Sequence, residues 1–79
     1  MRRVAVLGAA LARDTPVGDV DEVVVLDPSP TALLALMHEV SEPCWTFQLG
    51  ALPVLPLPNG YVDAVVGGDD GDEVRRVTR

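Results

Sequence analysis

Five features of the 79-residue chain carry groups able to do chemistry. They are Asp27 after the apolar run EVVVL, Gly8 after the run RVAVL, the single histidine His38, the single cysteine Cys44, and the stretch GGDDGDE over 67–73. A carboxylate at the C-terminal end of a strand can accept two hydrogen bonds from a bound molecule. An acid before proline also builds turns, and Asp27 precedes Pro28, so both roles stay open. Gly8 lets backbone come close to a ligand, but one glycine serves a turn equally well. His38 lies between Met37 and Glu39 with no serine or cysteine nucleophile in an identifiable motif, which points to a surface residue. Cys44 excludes an internal disulfide and most cysteine metal sites, and is expected to pack. The aspartates of 67–73 invite a calcium reading. They lack the alternating acids and distant glutamate of a calcium loop, so a solvated loop leading into a helix is expected.

The elements that hold these residues follow from the hydrophobic pattern. Arg3–Leu7 and Glu22–Leu26 are short β-branched runs without polar alternation, as in strands covered on both faces of a parallel sheet. Ala9–Arg13 has room for one or two helical turns before Thr15-Pro16. Ser29 is a good N-cap and Pro30 a good first residue for a helix over TALLALMHEV. There Leu33, Leu36, Met37 and Val40 form one apolar stripe, ended before Pro43. Cys44–Leu49 reads as a third strand nearer the edge, with Trp45 and Phe47 on one face; without a covering helix that face is an interface candidate. Tyr61–Val66 is the fourth strand. Asp72–Arg79 adds a helix with acids first and arginines last, matching its dipole. Between strands three and four, Gly50–Gly60 is a crossover without a helix. Pro56 and Pro58 hold it extended over the sheet end, and Leu55 and Leu57 face inward. The expected fold is α/β: a truncated Rossmann-like parallel sheet of about four strands, order 3-2-1-4, with flanking helices, in one domain over 1–79.

A net charge of −6, with six arginines against twelve acids, argues against nucleic acid as a partner. A mean hydropathy of +0.26 argues against disorder. No apolar run reaches the roughly 18 residues of a membrane span, and MRRVAVLGAALARD meets an acid too soon for a signal peptide. A cytoplasmic protein with a self-contained reading frame is expected.

Together, EVVVLDPSPTALLAL, LPLPNGYVDAVVGG and the terminal DEVRRVTR resemble the first half of the class I S-adenosylmethionine-dependent methyltransferases, over Arg3–Arg79. The resemblance implies that Asp27 stands where the family's acid binds the ribose hydroxyls, that Gly8 opens the cofactor turn, and that Asp63 is a structural marker before the fourth strand. The family's further turn glycines are replaced by Ala9, Ala10 and Leu11. Where an acid usually meets the adenine amino group, Gly50 is followed by Ala51, Leu52 and Pro53. The expected function is therefore a non-catalytic, methyltransferase-like domain acting through self-association or as a subunit of a larger complex, with no cofactor of its own. The alternative is an S-adenosylmethionine or nucleotide binder whose site a second chain completes.

Overall fold

The computed structural model describes residues 1–14, 18–40, 43–52, 54–68 and 71–79. Thr15-Pro16 as the stop of the first helix, Pro53, and Asp69 and Asp70 of the glycine–aspartate run lie outside them. The order is β1 (Arg3–Leu7), α1 (Ala9–Asp14), β2 (Glu22–Asp27), α2 (Pro30–Glu39), β3 (Trp45–Leu49), β4 (Ala64–Val66) and α3 (Asp72–Val77). All four strands are parallel, in the expected spatial order β3-β2-β1-β4.

The valine-rich strands bury both faces because each face has its own cover. Val4, Val6, Val23 and Val25 pack against Ala9, Ala12, Leu33 and Leu36 of α1 and α2. On the other face, Ala5, Val24 and Leu26 pack against Leu55, Leu57, Val62 and Val77. Ser29 caps α2, its Oγ accepting from the Ala32 N–H at 3.2 Å, and Pro30 occupies the first turn. The apolar stripe of α2 is narrower than its spacing suggests: Leu33 and Leu36 are buried, whereas Met37 is 48% exposed.

The proline-rich crossover lies across a face of the sheet, where its leucines meet the core, and not over the sheet end. Leu55 and Leu57 are 2% and 6% exposed, while Pro56 and Pro58 between and after them are exposed. A Cβ on Gly50 would stand 2.6 Å from Pro56 Cδ, so the crossover turns back over a position that accepts only glycine.

A segment outside the ladder must satisfy its backbone polar groups elsewhere. The Arg76 guanidinium donates to the Leu57 carbonyl at 2.7 Å, the Leu55 carbonyl at 2.9 Å and Asn59 Oδ1 at 2.9 Å. Glu73 Oε2 accepts from the Leu55 N–H at 2.6 Å, and Glu73 and Arg76 pair with each other one turn apart on α3. Gln48 Nε2 donates to the Pro56 carbonyl at 3.2 Å.

β4 and α3 are both shorter than the pattern suggests. After Val77 the chain leaves the helix: the Val62 N–H donates to the Val77 carbonyl and the Arg79 N–H to the Val62 carbonyl, so Thr78 lies parallel to Val62 on the side away from β1. At the N-terminal end of the sheet, Arg3 ties together Asp63, Glu22 and Tyr61. Its N–H donates to Asp63 Oδ2 at 2.8 Å, its guanidinium pairs with Glu22, and the same group donates to the Tyr61 carbonyl while lying 4.1 Å from the Tyr61 ring centre.

Two expectations follow. Leu55→Ala should cost about 2–5 kcal/mol in urea unfolding, a large share of the roughly 4–12 kcal/mol expected for a chain of this length; a loss below about 1 kcal/mol would mean the crossover is not core. The Glu73 carboxyl is lowered from 4.5 to about 2, first by the Arg76 hydrogen bond and then by the Leu55 N–H. Because the folded value lies below the unfolded one, the clamp contributes fully above about pH 4.5 and is lost as pH falls toward 2. Glu73→Gln should lower Tm at pH 7 and flatten its decline between pH 4.5 and 2; parallel wild-type and variant profiles would contradict this.

Candidate functional site

All strands point the same way, so their C-terminal ends converge on one end of the sheet, where open parallel α/β sheets hold their ligands. Four turns meet there. β1 runs into Gly8, whose φ of +123° suits glycine and whose N–H donates to the Leu26 carbonyl at 2.7 Å. β2 ends in Asp27, β3 runs into Gly50, and β4 runs into Gly67 at a φ of +82°.

Between these turns is a cleft of about 200 Å³. Leu7, Gly8, Leu26, Pro28, Gly50, Ala51, Leu52 and Gly67 line it. None of these residues carries a titratable side chain. Asp27 stands beside the cleft with both carboxylate oxygens engaged: Oδ2 accepts from the Ala9 N–H at 2.9 Å and Oδ1 from the Ser29 N–H at 2.8 Å. One side chain therefore fixes both the β1–α1 and β2–α2 turns. A carboxylate has roughly four acceptor sites, so each oxygen keeps capacity for one more donor.

Leu11 of α1 reaches the turn at the end of β4. A Cβ placed on Gly67 would lie 2.3 Å from Leu11 Cδ2 and 3.2 Å from the Leu7 carbonyl oxygen. The leucine tip thus rests on Gly67 at the point where the strand order reverses.

The structure brings Gly8 and Asp27 together, adds Gly67 of the glycine–aspartate run to the same cleft, and separates His38 and Cys44 from them. His38 is exposed in the last turn of α2. Cys44 is half-buried just before β3, its carbonyl accepting from the Val23 N–H. Both belong to the opposite end of the sheet. Asp63 is also there, held below the usual carboxylate range first by the Arg3 N–H and then by Arg79 and other positive charges, against some desolvation. Among the described residues no group of three His, Cys, Asp or Glu can hold a metal, and no helix is long and apolar enough to cross a membrane. Two contributors were not singled out from sequence: Leu52 as a wall, and the Glu73–Arg76 pair that holds the crossover. The pair's three-residue spacing was visible, but its target lies some twenty residues upstream.

Asp27→Ala should destabilise the unliganded protein by about 1.5–3 kcal/mol in urea unfolding, since two N–H groups lose a charged acceptor. Unchanged stability would mean that the two turns do not depend on the carboxylate.

No family model and no curated protein matches the chain. It is similar in structure to a chain of the solved complex between the Haloferax volcanii Trm112 methyltransferase activator and a protein designated a methyltransferase. The TM-score is 0.66 and the identity 22% over 81% of this chain. The match spans 30% of that chain's length. At this identity the likeness establishes the fold, a small Rossmann-like α/β sheet.

Proposed function

We propose that this chain is a non-catalytic, methyltransferase-like half domain that works by associating with another protein chain, either a second copy of itself or a larger subunit. The observation that carries this reading is the outer edge of β3. The Val23 N–H donates to the Cys44 carbonyl and the Gly50 N–H to the Asp27 carbonyl, so the alternation of a parallel ladder directs the Thr46 and Gln48 backbone toward β2. The Trp45, Phe47 and Leu49 backbone then faces away from the sheet, as a row of groups able to pair with another strand.

Apolar side chains accompany that row. Trp45 and Phe47 are half-buried on the α2 face with ring centres 6.5 Å apart, and Leu49 is 54% exposed. On α2, Glu39 pairs with Arg13 of α1, which fixes the flank facing α1. Met37 is about 200° around the helix from Glu39 and so belongs to the flank nearer β3. A strand edge with an apolar margin is the usual material of association. The likeness to a chain solved in complex with an activator supports a protein partner.

Methyltransferase likeness also implies S-adenosylmethionine, and the cleft residues fit it only in part. Asp27 retains acceptor capacity for hydroxyls, and Gly8 leaves room where a Cβ would stand, whereas Gly50 and Gly67 are already covered by Pro56 and Leu11. The volume of about 200 Å³ is below the 300–1,000 Å³ typical of pockets for ligands of that size. A second chain would have to complete such a site, and the cleft walls supply no acid, base or nucleophile.

Size-exclusion chromatography with light scattering at micromolar concentration should show a species heavier than the 8.4 kDa chain, and Leu49→Asp should shift it toward monomer with its fold retained. A folded monomer at every concentration, unaffected by the substitution, would sink self-association and leave only a separate partner protein to be sought by co-purification.

A further inference from the structure

We propose that two copies of this chain pair their β3 strands antiparallel about a two-fold axis at Phe47, joining the two four-stranded sheets into one. The pairing rests on the association reading above and gives it a partner and a register.

The β3 edge carries none of the devices that keep strand edges apart. Trp45–Leu49 contains no charge and no proline, and its register against β2 runs without a bulge. The flank of α2 beside it is equally bare: Pro30, Leu34 and Met37 follow at steps of four and three residues and so share the side turned from α1. Among the described residues the exposed large hydrophobics are Met1, Leu34, Met37, Leu49 and Val54, and the middle three of these stand on this one margin, Leu34 at 56% exposure. A chain of net charge −6 repels its own copy at long range, which salt screens beyond about 8 Å. Among the described residues, this margin brings no charge to the joint.

An identical edge answers each group on this one. A two-fold axis perpendicular to the sheet sets the strands antiparallel and keeps α2 of both copies on one face. With Phe47 on the axis, Trp45 stands opposite the partner's Leu49, Phe47 opposite the partner's Phe47, and Leu49 opposite the partner's Trp45. These are the residues whose backbone faces outward, so each pair exchanges both N–H···O=C bonds. A shift of two residues either way loses one of the pairs, and a shift of one sets outward groups against inward ones. The same register lays apolar side chains side by side on the α2 face, and Thr46 beside the partner's Gln48 on the other. α2 packs on β2 and β3 alike, and strands lie about 4.8 Å apart, so the two copies of α2 come within about 10 Å, the distance at which helices pack. Leu34 and Met37 then meet the partner's Leu34 and Met37.

The test uses single-cysteine chains in a Cys44→Ser background, which removes the native thiol. Thr46 and Gln48 are exposed, and across this joint they form a non-hydrogen-bonded pair with Cα atoms about 4.5 Å apart, within reach of a disulfide. An equal mixture of the Thr46→Cys and Gln48→Cys chains, oxidised with glutathione disulfide, should give the mixed dimer at least about fivefold over either homodimer by mass spectrometry, against about twofold for random pairing. Leu34→Glu, outside the strand, should weaken the dimer at least about tenfold in light scattering with circular dichroism unchanged. A dimer that links 46 to 46 or 48 to 48, links at random, or ignores Leu34→Glu would overturn this joint while leaving association standing. A monomer at every concentration, with random or no cross-linking, would overturn self-pairing outright and leave the association reading to a separate protein.

Discussion

A parallel sheet survives only if both faces are kept from water, and in this chain helices alone cover one face. α1 and α2 cover the Val4, Val6, Val23 and Val25 side, and the opposite side falls to α3 and a crossover containing Pro56 and Pro58. That crossover cannot draw on ladder hydrogen bonds, so its attachment depends on the Glu73–Arg76 pair, which serves the Leu55 N–H and the Leu55 and Leu57 carbonyls together. Without the pair, two buried leucines would be carried on a strap with unmet polar groups. The opposite face of β1, β2 and β4 depends on this anchoring.

With the faces closed, the two ends and the two edges of the sheet take different roles. The N-terminal end is tied by Arg3, which joins β1 to Glu22, Tyr61 and Asp63. The C-terminal end is held by Asp27, whose carboxylate sets two turns at once and leaves a cleft beside them. The β4 edge receives a first parallel contact from Thr78 and Arg79. The β3 edge receives none from the described residues, and Trp45, Phe47 and the exposed Leu49 lie along it.

Much of this was legible in the sequence. The uninterrupted valine runs, the Ser29-Pro30 helix start and the alternation of elements gave the strand order 3-2-1-4. Leu55 and Leu57 pointed inward through their two-residue spacing alone. What local pattern could not show was where the crossover lies, because a stretch without hydrogen-bond periodicity is placed by distant partners, here Glu73 and Arg76. Met37 misled for a related reason: helical spacing places a residue on a stripe, but the width of the sheet beneath decides how much of the stripe is covered. At the site, Asp27 and Gly8 were legible as neighbours across two turns. The extent to which the Asp27 oxygens are already occupied was not, since Ala9 comes from a different strand–helix connection.

Hydrogen exchange at single-amide resolution bears most directly on the claim that the β3 edge is built to be paired. The account predicts protected Thr46 and Gln48 amides at all concentrations, and Trp45, Phe47 and Leu49 amides that exchange rapidly in dilute protein and gain protection as concentration rises or a partner is added. Fast exchange at Phe47 and Leu49 under every condition, in a protein otherwise fully protected, would show that water satisfies this edge and would contradict the account.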